Sequence, residues 1–404
     1  MRTSLKIALL LVGIMFLTNC NFQTKNSLKV KFNTSISEGR VFEFTNIENN
    51  KILKSAIKEP FLIEQDKNEL QSQLFFDPVS KTHSLLIYPV IDNKSKFKFN
   101  VGTKSTHVFP PMAHAELWQK TGGKFVDRKY VGGGPFVEVD SIRVPDECTD
   151  HSFFIKYEGP GWESNLVGYR FYLDWRNAND VFGKKTGKMV LENVGQDGYE
   201  SYHNMQDWGM DNFKVGATLG IGSIAYWNGK AAERVAKTDS VICKILAKGP
   251  IRAMIQTNYY GWQTNDFKTS FTSFLSIDAN SRLTKEVLIF DKAPSTICTG
   301  MIKDTTCQQI KIVEGEWTAF GDWGKQSLNN DNLGLVVIVK NSSIIDFKTD
   351  NSNDVVILKP ENNTATWYFG AAWELEPNGI KTIDQFKSYI SSQLELLNKP
   401  DFQY

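Results

Sequence analysis

Short β-branched or aromatic runs separated by Asn, Asp, Lys and Gly recur along most of the chain, a pattern of strands joined by turns. In the first half, residues 40–44, 84–90, 97–101 and 115–118 read as strands, and residues 124–130 and 136–144 flank a turn at Gly132 to Gly134. The second half reads as a meander of longer strands over 240–246, 251–260, 270–277 and 283–290, completed by 333–339, 355–358 and 364–372. Helical spacing stands out once, where Ile383, Phe386, Ile390, Leu394 and Leu397 follow a capping box of Thr382 and Gln385. Many strands and one helix must bury sheet against sheet. The fold class predicted is all-β, a large antiparallel β-sandwich with a C-terminal helix as a lid.

The N-terminus reads as a processing signal. Arg2 and Lys6 precede an apolar stretch over residues 7–17, and Leu17-Thr18-Asn19-Cys20 has the form of a lipobox. That stretch is too short to span a bilayer. The expected organisation is a lipoprotein signal peptide over 1–19, lipidation at Cys20, a polar tether over 20–37 and a single β-sandwich domain over 38–404. Lipid anchoring in the cell envelope, in the periplasm or at the outer membrane, follows as an expectation. The net charge is only +1, from 46 basic and 45 acidic residues, which argues against a nucleic-acid footprint and leaves the lipid as the membrane contact. Cys148, Cys243, Cys298 and Cys307 permit two disulfides in an oxidising compartment, with Cys298–Cys307 the favoured pair. Their spacing suggests no zinc site.

The chemistry concentrates in residues 151–262, and most densely in 161–214, where Trp, Tyr, His, Arg, Lys, Asp and Glu occur together among glycines. His203, Asp207 and Asp211 are spaced four apart and can share one surface. His203 oriented by Asp207 has the form of a general base, with Tyr202 beside it and Lys214 three residues beyond Asp211. The opposing reading is a structural network in which the two aspartates cap turns; a metal site on the same three residues is less favoured. Upstream, alternation along 166–175 places Arg170, Tyr172 and Asp174 on one strand face. There Arg170, helped by Arg176 or Lys214, could hold a carboxylate or sulfate, and Tyr172 could transfer a proton. Trp162, Trp175 and Trp208 are candidate sugar platforms, and Glu163 with Asp207 or Asp211 could form a hydrolase pair. Among the remaining histidines, His114 and His151 are placed to reach such a cleft. No cofactor is expected, and a calcium ion is left open. A locally basic, aromatic-rich region in a neutral chain favours an acidic oligosaccharide, sulfated or not, as the partner.

The runs GPGWESNLVGYRFYLDWRNANDVFGKKTG, YHNMQDWGMDNFKVGATLGIGSIAYWNGK and GPIRAMIQTNYYGW resemble a secreted bacterial family of unknown function associated with polysaccharide utilisation. The resemblance runs from about Glu116 to the C-terminus, and the family is similar to the ulvan oligosaccharide dehydratase. It implies a hydro-lyase that removes water from a non-reducing-end glucuronate or iduronate and leaves a 4,5-unsaturated uronate. By analogy the sandwich would be of the galactose-mutarotase-like supersandwich type. Analogy of fold does not give function. A polysaccharide lyase, a glycoside hydrolase on acidic glycans and a non-catalytic glycan-binding lipoprotein remain the alternatives.

Overall fold

The computed structural model describes residues 26–31, 41–51, 53–57, 62–65, 68–88, 96–102 and 107–398. The signal segment and Cys20 lie outside them. Leu283–Phe290 is the middle strand of a nine-stranded antiparallel sheet, and nearly every residue in it is buried. Period-two alternation explains how one sheet serves two interfaces. On Leu333–Lys340, for example, Leu335, Val337 and Val339 join the main core while Val336 and Ile338 pack on the other side.

Two five-stranded antiparallel sheets cover the first face. One has the order Gly209–Asp211, Asn179–Lys184, Val167–Phe171, Gly161–Ser164, Ala113–Glu116. The other runs Ala232–Arg234, Ile221–Trp227, Ile297–Ile302, Asn353–Leu358, Ile344–Thr349. Their inner side chains, among them Trp162, Tyr169, Val181, Ile224, Met301 and Val356, share one core with the large sheet. The result is an all-β sandwich, as the strand pattern predicted. The expected strand over 283–290 coincides with the observed one, and the two strands before it, expected over 251–260 and 270–277, are observed as Arg252–Gln263 and Lys268–Asp278.

The second face of the large sheet carries two covers. At one end lies the helix Ile383–Asn398, whose Phe386, Ile390 and Leu394 are fully buried against Trp317, Trp323 and Ile338. Thr382 caps it, its Oγ1 accepting the Gln385 N–H at 3.2 Å, while the Gln385 side chain accepts the Lys381 N–H at 2.7 Å. At the other end the N-terminal strands pack Phe75 and Leu86 onto Met254, Phe274 and Val287. Gln73 fastens this contact by accepting the N–H groups of Ile251 and Arg252 and donating to the Arg252 carbonyl. Asn26–Lys31, inside the stretch expected as a tether, is a strand paired with Lys96–Gly102.

The disulfide expectation is corrected: Cys148, Cys243, Cys298 and Cys307 are all free thiols. Cys298 sits in register with Ile357 inside a five-stranded sheet, whereas Cys307 packs against Gly324 at the edge region of the nine-stranded one. Nearness in sequence does not bring their β-carbons together, because a sheet change intervenes.

Candidate active site

A hairpin builds the site. Val167–Phe171 pairs with Asn179–Lys184 so that Arg170 faces Asp180 across the ladder; Tyr172 N–H then bonds the Ala178 carbonyl, and the tip follows at Asp174 to Asn177. The strand expected over 166–175 is therefore shorter, but its alternation holds. Tyr169 points into the core and donates to the Arg282 carbonyl, while Arg170 and Tyr172 lie on the opposite face.

That face is covered, not wet. Arg170 is only 3% exposed, and every nitrogen of its fork is engaged. Nε and Nη2 donate to Asp180 Oδ2 at 2.9 and 2.7 Å, Nη1 to the Tyr202 hydroxyl at 2.9 Å, and Nη2 to the Tyr172 hydroxyl at 2.8 Å and Asp211 Oδ2 at 2.6 Å. Tyr172 in turn donates to Asp180 at 2.6 Å. Burial and the adjacent Asp211 push the Asp180 carboxyl up to about 6. Arg170 is thus buried and turned to internal partners, an arrangement that fits an internal anchor better than the carboxylate-binding role expected of it.

The network opens to solvent at His203. Its Nε2 lies 3.2 Å from Asp211 Oδ2, and its side chain is 39% exposed. The hydrogen bond that His203 donates to Asp211, opposed by partial burial, raises the imidazole above its ordinary range. With Nε2 turned to Asp211, Nδ1 is the nitrogen left to exchange a proton with a ligand. The Tyr202 ring lies beside it at 4.5 Å between centroids. Tyr202 is 1% exposed, and burial raises its hydroxyl well above the usual range.

Asp207 does not orient His203. The chain between them is neither strand nor helix: Ser201–His203 is one 3-10 turn, and Gln206 and Gly209 then bond each other's backbone around a tight turn. Asp207 and Trp208 occupy the tip of that turn, where Asp207 is exposed and Trp208 half-buried, edge-on to Phe182. The partner of His203 is Asp211, on the return strand.

The other candidates divide into sealed and open groups. Glu163 is fully buried, with one oxygen on the Lys184 ammonium at 2.5 Å and the other accepting the Val190 and Leu191 N–H groups. It cannot serve as the carboxylate of a hydrolase pair. Trp162, 1% exposed, stacks on Tyr169 and donates to Thr284, so it is core and not platform. Arg176 is consumed by a bidentate pair with Asp174 and by Asp150 and Glu158 at 2.9 and 2.8 Å. Trp175 at the hairpin tip is 45% exposed, and Lys214 is exposed, with no carboxylate among the described residues paired to it. His114 lies at the opposite edge of the sheet, on Glu116 at 3.2 Å.

Asp150, His151 and Glu158 bring one ligand atom each within 4.8 Å of one another, a spacing that could hold a metal ion. The Arg176 guanidinium bridges Asp150 and Glu158 and already supplies the positive charge there. Asp150, Glu158 and Asp180 are what the sequence reading missed. Asp180 was within reach of it, since a turn at Asp174 to Asn177 sets the cross-strand register that pairs it with Arg170.

The chain is 24% identical over 330 residues to the Uncharacterized protein P7 of Formosa agariphila, an alignment that covers 74% of this chain and 78% of that protein. Two solved structures are similar over 94% of the chain: an alpha-mannosidase from Enterococcus faecalis V583, at 7% identity and TM-score 0.45, and a glycosyl hydrolase family 38 protein from Enterococcus faecalis, at 8% and 0.46. The chain spans less than half the length of each, 45% and 47%. The model of a domain of unknown function, DUF4861, matches residues 33–401, and the chain belongs to that family.

Proposed function

We propose that the protein is a carbohydrate-active hydro-lyase that removes water from a uronate at the non-reducing end of an acidic, ulvan-type oligosaccharide. The observation that carries this reading is the His203–Asp211–Arg170 chain: a half-exposed imidazole held by a carboxylate that a buried guanidinium holds in place. Such a histidine has a fixed tautomer and a raised affinity for a proton, which suits general-base work. His203 Nδ1 takes H5 of the uronate, the released electron pair forms the C4–C5 double bond, and the C4 hydroxyl departs as water after receiving a proton.

Of the two buried tyrosines, Tyr202, beside His203, is the better candidate donor of that proton, provided that substrate binding uncovers its hydroxyl. Its hydroxyl accepts from Arg170, which leaves its own hydrogen free, whereas the Tyr172 hydrogen is committed to Asp180. With Arg170 buried among its own partners and Arg176 held by Asp174, Asp150 and Glu158, Lys214 is the more accessible candidate to neutralise the substrate carboxylate. The resemblance to the ulvan oligosaccharide dehydratase is what supports dehydration over chain cleavage in this proposal. We also propose lipid attachment at Cys20 in the cell envelope, which labelled palmitate incorporation and its loss in Cys20→Ala would test.

Incubation with saturated oligosaccharides ending in glucuronate or iduronate tests the reaction. The expected result is a rise in unsaturated-uronate absorbance with a mass loss of one water and an intact chain. The same rise with shortened chains identifies a polysaccharide lyase instead, and binding without any product identifies a glycan-binding protein.

A further inference from the structure

Among the half-buried and buried arginines of the sandwich, one differs from the rest. Arg170, Arg176, Arg252 and Arg282 each pair with at least one carboxylate. Arg234 has none among the described residues; its Nη1 donates to the Thr218 carbonyl at 3.3 Å. Its guanidinium carbon lies 5.0 Å from the centre of the Trp175 ring, and Trp175 is the site tryptophan that stays 45% exposed. Asp174, the acid nearest in sequence to this ring, is taken by Arg176 in a bidentate pair. Partial desolvation and the neighbouring Arg176 disfavour the Arg234 charge, and Asp174 only partly offsets them. A cation in that position lacks a counter-ion that the protein does not supply.

One segment links this pair to the partner of His203. The segment from Asp211 to Gly220 runs alongside Asn179–Lys184, from the register pair Phe182–Asp211 to the bridge Asn179–Gly220. Lys214 lies on that segment, and Thr218, which anchors Arg234, lies near its end. Trp175 stands at the tip of the hairpin, five positions beyond Arg170. Five residues span at most about 17 Å even when fully extended, and the strand ends at Phe171, so the tip lies within that distance of Arg170.

We infer that Trp175 and Arg234 form a distal subsite for an anionic sugar unit of the same oligosaccharide, the indole face stacking on the ring and the guanidinium binding its carboxylate or sulfate. This inference rests on the proposed function for the identity of the ligand, but not on turnover. A planar fork matches either oxyanion, and a stacked aromatic with a cation is a common arrangement for orienting a polar ring. The subsite would make the protein select charged oligosaccharides over single uronates.

Calorimetric titration of the purified protein with tetrasaccharides that carry only carboxylates, only sulfates, or neither tests the subsite. Binding of an anionic chain is expected to exceed that of the neutral chain, to weaken with salt, and to fall about ten- to hundred-fold in Arg234→Gln. Arg234→Lys, which keeps charge but not the fork, should fall between the two, and thermal melts establish that each variant is folded. The arm that loses affinity in Arg234→Gln identifies the anion. Equal affinity of wild type and folded Arg234→Gln for both anionic chains overturns the subsite. Arg234-dependent binding with no unsaturated product would leave the subsite standing and remove the dehydratase reading.

Discussion

Glu163 and Arg170 lie on neighbouring strands of one sheet, and each is buried with an opposite charge, yet their networks end differently. Glu163 and Lys184 are both fully buried and close on each other and on backbone groups. Arg170 passes its charge through Asp211 to a histidine that touches solvent. A sealed ion pair can only hold strands together, at a desolvation cost that good geometry offsets. A network with one exposed, titratable end can pass a proton to a ligand while the rest of it stays fixed. The sealed network holds two charged groups, the open one Arg170, Asp180 and Asp211 with the titratable His203; the exit distinguishes them more than the count.

His203→Ala should break the open network where it matters most. Turnover of a uronate-terminated oligosaccharide is expected to fall by about 10²–10⁴-fold, with a thermal midpoint close to wild type because the imidazole is half-exposed. Normal turnover in a folded His203→Ala protein would remove the histidine from the chemistry. Lys184→Met is the counterpart in the sealed network. It leaves the Glu163 carboxylate buried without its cation, and chemical denaturation should show a loss of about 3–5 kcal/mol. A loss near zero would mean that water reaches Glu163 and that the two networks are not distinct in kind.

The sandwich was legible in the sequence because strands, once long, announce themselves by alternation. Leu283 to Phe290 and Thr364 to Ala372 stand in the structure nearly as the pattern places them, and so does the amphipathic helix that buries Phe386, Ile390 and Leu394. The site was legible only as a neighbourhood. His203, Tyr202, Asp211, Arg170 and Tyr172 do come together, but spacing of four suggested Asp207 as the partner of His203 and a turn at Gln206 to Gly209 assigns Asp211 instead. Burial was invisible as well. Nothing in GWES shows that both faces of this strand are covered: the large sheet covers Trp162 at Thr284, and the backbone at Val190 and Leu191 covers Glu163 on the opposite side. The free cysteines make the same point: pairing depends on which sheet each strand joins.

The pH dependence sharpens the comparison from the open side. The Asp211 hydrogen bond raises His203 above its usual value, so the protonated pair stabilises the fold fully below the unfolded histidine value of about 6.5 and loses that contribution as pH rises through the raised one. A base must be neutral to act. The acid limb of kcat/KM is therefore expected above about 6.5. An acid limb below that value would show that Asp211 does not act on the imidazole in solution.

The smallest expected effect belongs to Asp207, and it separates sequence spacing from geometry. Asp207→Asn changes an exposed carboxylate at a turn tip that takes no part in either network, so stability should shift by no more than about 0.5 kcal/mol. Asp211→Asn differs by four positions and removes a charge held between Arg170 and His203. It should lower the pH at which the acid limb appears, since the bond that raises the imidazole is weakened, whereas Asp207→Asn should leave that limb where it is. A limb that moves in Asp207→Asn and not in Asp211→Asn would return the orienting role to Asp207, and with it the reading in which His203 and both aspartates share one face.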